Sequence, residues 1–172
     1  MAKNGEQGLH GVPACSGCGL VVPGGTGGCR AMFDELAVRQ WDRPVAYRIR
    51  RMMVDTYSLQ HPDEFCASAK SLAAHLTGLC AALEHESHPT ILRVLLHWLD
   101  SGPTLVKPVV PSTRGAITLA EVFSAAKGEA IVLAADRWAR ATWKAYAPLH
   151  ALARRWVGEA LAIPSRPPRR RP

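Results

Sequence analysis

Residues 60 to 80, reading QHPDEFCASAKSLAAHLTGLC, constrain the fold most because they combine helical spacing with side chains that bind metals or move protons. Pro62, followed by Asp63 and Glu64, is typical of a helix N-terminus. The apolar spacing predicts that this helix continues to about Glu84. Beside the apolar stripe runs a second stripe of small or polar residues, into which a cysteine-bearing loop or another helix could pack: Ser68, Ser71, His75, Gly78 and Ala82.

The remaining chain is also predominantly helical in pattern, and we predict an all-α fold, an irregular bundle of five or six helices. Pro148 interrupts the last apolar pattern, so we expect a kink or two abutting helices there. We predict one helical domain over residues 1–163, with a cysteine-bearing loop at 1–28, and a disordered basic tail at 164–172. The other predicted helices run from Cys29 to about Gln40, Pro44 to about Leu59, Thr90 to Asp100, Thr118 to about Ala126 and Glu129 to Ala162.

Composition narrows the classes of function. The 172 residues are 48% hydrophobic, as in ordinary globular domains. They contain no run of about 18 apolar residues that could span a bilayer, and no apolar signal sequence at the start. We therefore expect a cytoplasmic protein without membrane contact. The net charge is +7, but the tail concentrates much of it, so only the tail suits contact with nucleic acid or another acidic partner; its arginines are Arg166, Arg169, Arg170 and Arg171.

Cys15 and Cys18 form a C-x-x-C followed by Gly19, a pattern that presents two sulfur atoms to one tetrahedral metal ion. In a reducing compartment, five cysteines are better explained as metal ligands or free thiols than as disulfides. A redox-active pair and unliganded thiols are the alternatives, but the strand and helix of a thioredoxin-like site are missing from the pattern. We predict a zinc ion. Its remaining ligands are expected to be two of Cys29, His61 and His75.

Two further pairs of residues are candidates for a chemical role. Cys66 and Lys70 share a helix face, where an ammonium group can lower the pKa of a thiol; the alternative is a buried, unreactive cysteine beside an exposed lysine. Asp55 is suited to orient a ligating histidine by accepting its hydrogen bond, or to form an ion pair with Arg51. Asp55 and Lys70 are therefore the candidate catalytic residues.

The segments CSGCG, GGCRAMFDEL and VDTYSLQHPDEFCASAKSLAAHLTGLCAALE resemble an uncharacterised family of small bacterial proteins described only as a domain of unknown function. The resemblance covers residues 13 to 86 and continues more weakly from Trp138 to His150. It implies a site shared across the family but no activity. The matching positions are Cys15, Cys18, Cys29, Asp55, Tyr57, Gln60, His61, Pro62, Cys66, Ser68, Lys70, Ser71 and His75.

Two functions follow from the number of metal ligands. Four protein ligands saturate the ion and make it structural, leaving the helical body to bind a protein or small-molecule partner. Three leave a position for a water molecule that the zinc ion activates, as in a metal-dependent hydrolase or transferase, with Asp55, Lys70 or an unused histidine transferring protons. We favour the structural ion because the loop needs an anchor. We also expect the loop to dock on the stripe that contains His75 and Gly78.

Overall fold

The computed structural model describes residues 11–41, 47–85, 89–125 and 128–163. Within these ranges the protein is helical and contains no β-strand, only an isolated bridge between Ala14 and Val21. The predicted all-α class is confirmed. The basic tail and the start of the predicted second helix at Pro44 lie outside the described ranges. The α-helices are α1 (Gly25–Trp41), α2 (Tyr47–Gln60), α3 (Pro62–Phe65), α4 (Ala69–Glu84), α5 (Pro89–Asp100), α6 (Leu119–Ser124), α7 (Glu129–Ala145) and α8 (His150–Leu161).

The helix predicted from Pro62 to Glu84 is wrong as a single element, because the chain breaks between α3 and α4. The backbone N–H of Cys66 bonds to the carbonyl of Pro62 and ends α3. Ser68 then adopts an extended conformation, and its hydroxyl accepts the N–H of Ser71 at 3.0 Å, while the Ser71 hydroxyl accepts the N–H of Ser68. This reciprocal capping satisfies N–H groups that a helix start leaves free. It therefore favours a new helix at residue 69.

A break at Pro148 is confirmed. Helix α7 ends at Ala145, a single 3-10 turn spans Ala147–Leu149, and α8 begins at His150. Proline lacks the N–H that an uninterrupted helix would need at this position. The separate α3 and α8 contribute to the eight helices of the described ranges. None of these helices is both long enough and apolar enough to cross a lipid bilayer.

Helix α4 lies at the centre of the fold, where it contacts α2, α5, α7 and α8. Its close approach to α2 depends on Gly78, because a Cβ atom there would lie 2.3 Å from Oδ2 of Asp55. The stripe of small residues therefore receives α2 at this point, rather than the cysteine-bearing loop that we expected.

The C-terminal end of α2 is fixed by a buried network around Gln60. Its Nε2 lies 2.8–3.0 Å from the carbonyl oxygens of Arg114 and Ile117 and from Oγ1 of Thr142. Its Oε1 accepts the indole N–H of Trp138 at 2.9 Å. These bonds attach the end of α2 to α7 and to the connection before α6. They hold the residue that follows, His61, in a defined position.

Candidate metal centre

Four buried side chains converge beside the end of α2. Nε2 of His61 lies 3.3 Å from Sγ of Cys15 and 3.5 Å from Sγ of Cys29, and Sγ of Cys18 lies 3.7 Å from Sγ of Cys29. All four donor atoms lie within 4.8 Å of one another, and the residues are 0% to 9% exposed. They are close enough to hold a metal ion. We call Cys15, Cys18, Cys29 and His61 the Cys3His cluster.

The first two donors come from a tight turn over residues 13–22, the cysteine turn. The N–H of Cys15 donates to the carbonyl of Leu20 at 2.8 Å, and the N–H of Gly19 donates to the carbonyl of Cys15 at 2.9 Å. Gly19 has φ of +76°, a left-handed conformation that glycine adopts without a steric penalty. The turn therefore points Cys15 and Cys18 to the same side, as the C-x-x-C pattern predicted.

Cys29 reaches the cluster from the start of α1, which begins four residues earlier. The approach of the preceding loop is close: a Cβ atom at Gly28 would lie 1.9 Å from the carbonyl oxygen of Pro23. A side chain at position 28 would therefore push the loop away from the helix. The absence of a side chain at Gly28 therefore lets Pro23 approach the start of α1, next to Cys29.

His61 follows α2 and precedes Pro62, and its ring is oriented by its own helix. Nδ1 lies 2.7 Å from the carbonyl oxygen of Tyr57, so it carries the proton and donates it to that oxygen. This leaves the lone pair of Nε2 facing the sulfur atoms, as a metal-binding imidazole requires. A Cβ atom at Gly17 would lie 2.4 Å from Cδ2 of His61, so the cysteine turn packs directly against the ring.

The four donors change one another's proton affinity. The hydrogen bond with Cys29 lowers the pKa of the Cys18 thiol to about 4, and the same contact raises the pKa of Cys29. Burial raises the pKa of Cys15, but hydrogen bonds from the backbone of Cys18 and Gly17 outweigh it and the pKa is lowered. Burial lowers the pKa of His61, but hydrogen bonds, led by that with Cys18, outweigh it and the pKa is raised. The pKa is therefore lowered at two of the three thiols, Cys15 and Cys18, and raised at Cys29.

The spacing of the donors fits a tetrahedral metal ion. Bonds of about 2.3 Å to sulfur and about 2.0 Å to nitrogen place two sulfur ligands about 3.8 Å apart, and a sulfur and a nitrogen about 3.5 Å apart. The sulfur–sulfur separation of Cys18 and Cys29 is 3.7 Å, and the two sulfur–nitrogen separations are 3.3 and 3.5 Å. These three separations therefore match three of the six edges of such a tetrahedron, and the other three are at most 4.8 Å.

His75, the other predicted ligand, is not part of the Cys3His cluster. Its Nδ1 bonds to Oδ1 of Asp55 at 2.9 Å, while Oδ2 of Asp55 accepts Nε of Arg51 at 3.0 Å. Asp55 therefore bonds to both a histidine and Arg51, as the two alternatives predicted. The histidine is His75, however, so Asp55 does not orient a donor of the Cys3His cluster. A cavity of only about 10 Å³ adjoins Arg51 and Gly78, enough for about one water molecule. The Asp55 network is therefore a bridge between α2 and α4.

Cys66 and Lys70 do not form a reactive pair. The Cys66 thiol is buried and lies 3.6 Å from the carbonyl oxygen of Ser58, and burial raises its pKa to about 12. Lys70 is exposed and pairs with Asp100 at 3.4 Å. The geometry agrees with the alternative interpretation of this pair, in which an unreactive cysteine lies beside an exposed lysine.

Two residues support the site without having been predicted as ligands or catalytic groups: Gly17 was not named, and Tyr57 was named only as a matching position of the family resemblance. Gly17 is the central residue of CSGCG, where a small residue between two ligands indicates close packing. Tyr57 precedes His61 by four residues, which is about one helical turn, so the two side chains are expected on the same side of the chain where α2 ends. The spacing signalled the contact, but only the folded chain shows the ring of Tyr57 stacked on that of His61, with centroids 4.0 Å apart.

Comparison with known proteins agrees with the sequence resemblance. A model of a protein family of unknown function matches residues 13–147, a span that includes all four donors of the Cys3His cluster. No curated protein and no solved structure matches the chain. The match confirms the resemblance to an uncharacterised family and extends it through the whole of α7.

Proposed function

The chain belongs to DUF5946, a family of unknown function, and from the geometry of its four buried donors we propose that it is a zinc-binding helical protein. The ion is bound by Cys15, Cys18, Cys29 and His61. Its role is structural. It joins the cysteine turn, the start of α1 and the end of α2.

The observation that carries this proposal is the number of ligands. Four protein donors complete a tetrahedral zinc sphere, whereas catalytic zinc sites use three and keep one position for water. All four donor residues are at most 9% exposed, which leaves little access for a substrate. Three thiolates and an imidazole select zinc over the harder ions that prefer oxygen ligands. A metal-dependent hydrolase or transferase is the weaker candidate, because it requires an open position.

The helical body is then the part that meets a partner. An open groove between α6 and α7 supports this proposal. Its volume of about 580 Å³ lies within the range of volumes found for ligand sites. Leu133 is 53% exposed in it, and an ion pair between Glu121 and Arg137 flanks it at 3.1 Å. An apolar floor beside a charged pair suits a protein segment or a small molecule with both apolar and polar groups.

We propose that the protein is cytoplasmic, because the proposed site needs its thiols in the reduced form. Cys18 and Cys29 lie close enough to oxidise to a disulfide if the metal ion were lost. A reducing compartment keeps them available as zinc ligands.

Metal analysis of the purified protein tests the proposal. We expect about one zinc per chain, and X-ray absorption should show three sulfur neighbours at about 2.3 Å and one nitrogen neighbour at about 2.0 Å. The Cys15→Ser, Cys18→Ser double variant should lose the metal. The matched control, Cys66→Ser with Cys80→Ser, changes two buried cysteines outside the cluster and should keep it. A metal-free but fully folded native protein would refute the proposal, and an oxygen neighbour in place of one ligand would favour the enzyme.

A further inference from the structure

Two thiols of the Cys3His cluster are placed to join. Sγ of Cys18 lies 3.7 Å from Sγ of Cys29, and a disulfide bond of about 2.05 Å needs these two atoms to approach by about 1.7 Å. The sulfur of Cys15 makes its short contact with the imidazole, at 3.3 Å from Nε2 of His61. Cys18 and Cys29 are therefore the pair that a two-electron oxidation would link.

Such a disulfide would not replace the proposed ion. Cys18 belongs to the cysteine turn, and Cys29 lies near the start of α1. His61 follows the end of α2, 32 residues beyond Cys29. The ion would join all three segments, whereas the disulfide joins only the first two. Oxidation therefore separates the cysteine turn from His61.

The exposure of the donors favours Cys18 as the first thiol to react. Cys18 is 9% exposed, whereas the other three donors are 0% to 4% exposed. The oxidant must therefore be small, and hydrogen peroxide is a molecule little larger than water.

The reaction with peroxide consists of two displacements. The Cys18 thiolate attacks one oxygen of the peroxide, the O–O bond breaks and hydroxide leaves, which gives a sulfenic acid. The Cys29 thiolate then attacks the sulfur of Cys18, so that the S–S bond forms, the S–O bond breaks and a second hydroxide leaves. Two electrons pass from the sulfur atoms to the peroxide, and each disulfide consumes one molecule of oxidant.

We propose that the Cys3His cluster is a peroxide-responsive thiol site, in which oxidation joins Cys18 to Cys29 and releases the zinc ion. The inference rests on the proposed zinc site and adds its regulation. Metal ions are bound by thiolates, and the sulfur atoms of a disulfide no longer carry that charge. After oxidation only Cys15 and His61 remain as donors, which is half of a tetrahedral zinc sphere.

The helical body keeps its structure on oxidation, because the end of α2 has a second attachment. Gln60 bonds to the carbonyl of Ile117, to Thr142 and to Trp138, and none of these bonds involves a sulfur atom of the cluster. The part that changes is the cysteine turn, which packs against the ring of His61. The oxidised protein is therefore a folded body with a loosened turn over residues 13–22.

The test uses the full chain with Cys66→Ser and Cys80→Ser, so that the only thiols left are those of the cluster. The zinc-loaded protein is mixed with an equal concentration of glutathione as an internal standard and titrated with hydrogen peroxide. A chromogenic chelator follows zinc release, and mass spectrometry after alkylation identifies the disulfide. Circular dichroism and amide hydrogen exchange report on the helical body and on the cysteine turn.

We expect one zinc ion released per disulfide, a Cys18–Cys29 crosslink with Cys15 alkylated, and release before half of the glutathione is oxidised. Exchange should become faster at residues 13–22, with unchanged helicity, and dithiothreitol with zinc should restore the starting state. Zinc retained after the glutathione is consumed would overturn the proposal, as would a crosslink that includes Cys15. If the untreated protein binds no zinc, the zinc proposal fails first, so the two failures are distinguishable.

Discussion

Replacing Cys29 by serine is expected to abolish zinc binding and to lower the free energy of unfolding by about 4 kcal/mol in the presence of zinc. The magnitude follows from linkage, because a ligand at about 1,000 times its dissociation constant stabilises the folded state by about 4 kcal/mol. Cys29 is the donor that lies near both Cys18 and His61, so its loss removes the sulfur ligand that faces two of the other donors. Urea unfolding with and without added zinc measures the effect.

Cys66→Ser provides the matched control for this experiment. Cys66 and Cys29 are both 0% exposed, and a serine at position 66 can still donate to the carbonyl of Ser58. We expect Cys66→Ser to keep the zinc-dependent part of the stability in full, whatever small loss it shows without zinc. Equal zinc dependence in both variants would contradict a site that contains Cys29.

Gly78→Ala is expected to destabilise the protein by about 3 kcal/mol without changing metal content. The added Cβ atom would lie 2.3 Å from Oδ2 of Asp55, a carboxylate that is fully buried between His75 and Arg51. Overpacking of this kind costs about 1–3 kcal/mol, and weakening a hydrogen bond to a buried charge costs about 1.5–3 kcal/mol more. Thermal and denaturant unfolding measure the loss.

Gly158→Ala is the matched control, because the same substitution is expected to stabilise the protein there. Gly158 is an exposed residue within α8, and a Cβ atom there would meet no atom within 4 Å. Alanine should stabilise this helix by about 0.5–1 kcal/mol, since it loses less conformational freedom on folding than glycine. If both variants were destabilised equally, the close contact between α2 and α4 would not be the cause.

Sequence patterns captured the parts of the site that are local. The C-x-x-C spacing predicted Cys15 and Cys18 because both ligands belong to one turn, which local geometry determines. Cys29 and His61 could only be proposed together with His75, since choosing among them depends on how distant segments pack. His75 was assigned to the same surface as the loop, but Gly78 admits α2 to that surface, and Asp55 then becomes the partner of His75.

The helices could be predicted where apolar residues recur at helical spacing over a long stretch, but their ends could be predicted less well. The break before α4 was missed because the usual capping pattern has glutamate or glutamine three residues after the N-cap, whereas here Ser71 returns the hydrogen bond to Ser68. The bonds of Gln60 to residues 114, 117, 138 and 142 join positions far apart in sequence. No local pattern predicts them, although they hold His61 in place.

The sequence separation of the donors implies an order of assembly during folding. Cys18 and Cys29 are 11 residues apart, whereas Cys29 and His61 are 32 apart. Closing the longer loop costs about 0.9 kcal/mol more chain entropy. On a growing polypeptide the three thiols emerge before His61. We expect the proposed zinc ion to exchange readily while only the three thiols hold it, and the arrival of His61 to be the step that makes the fold of residues 11–41 and 47–61 persistent.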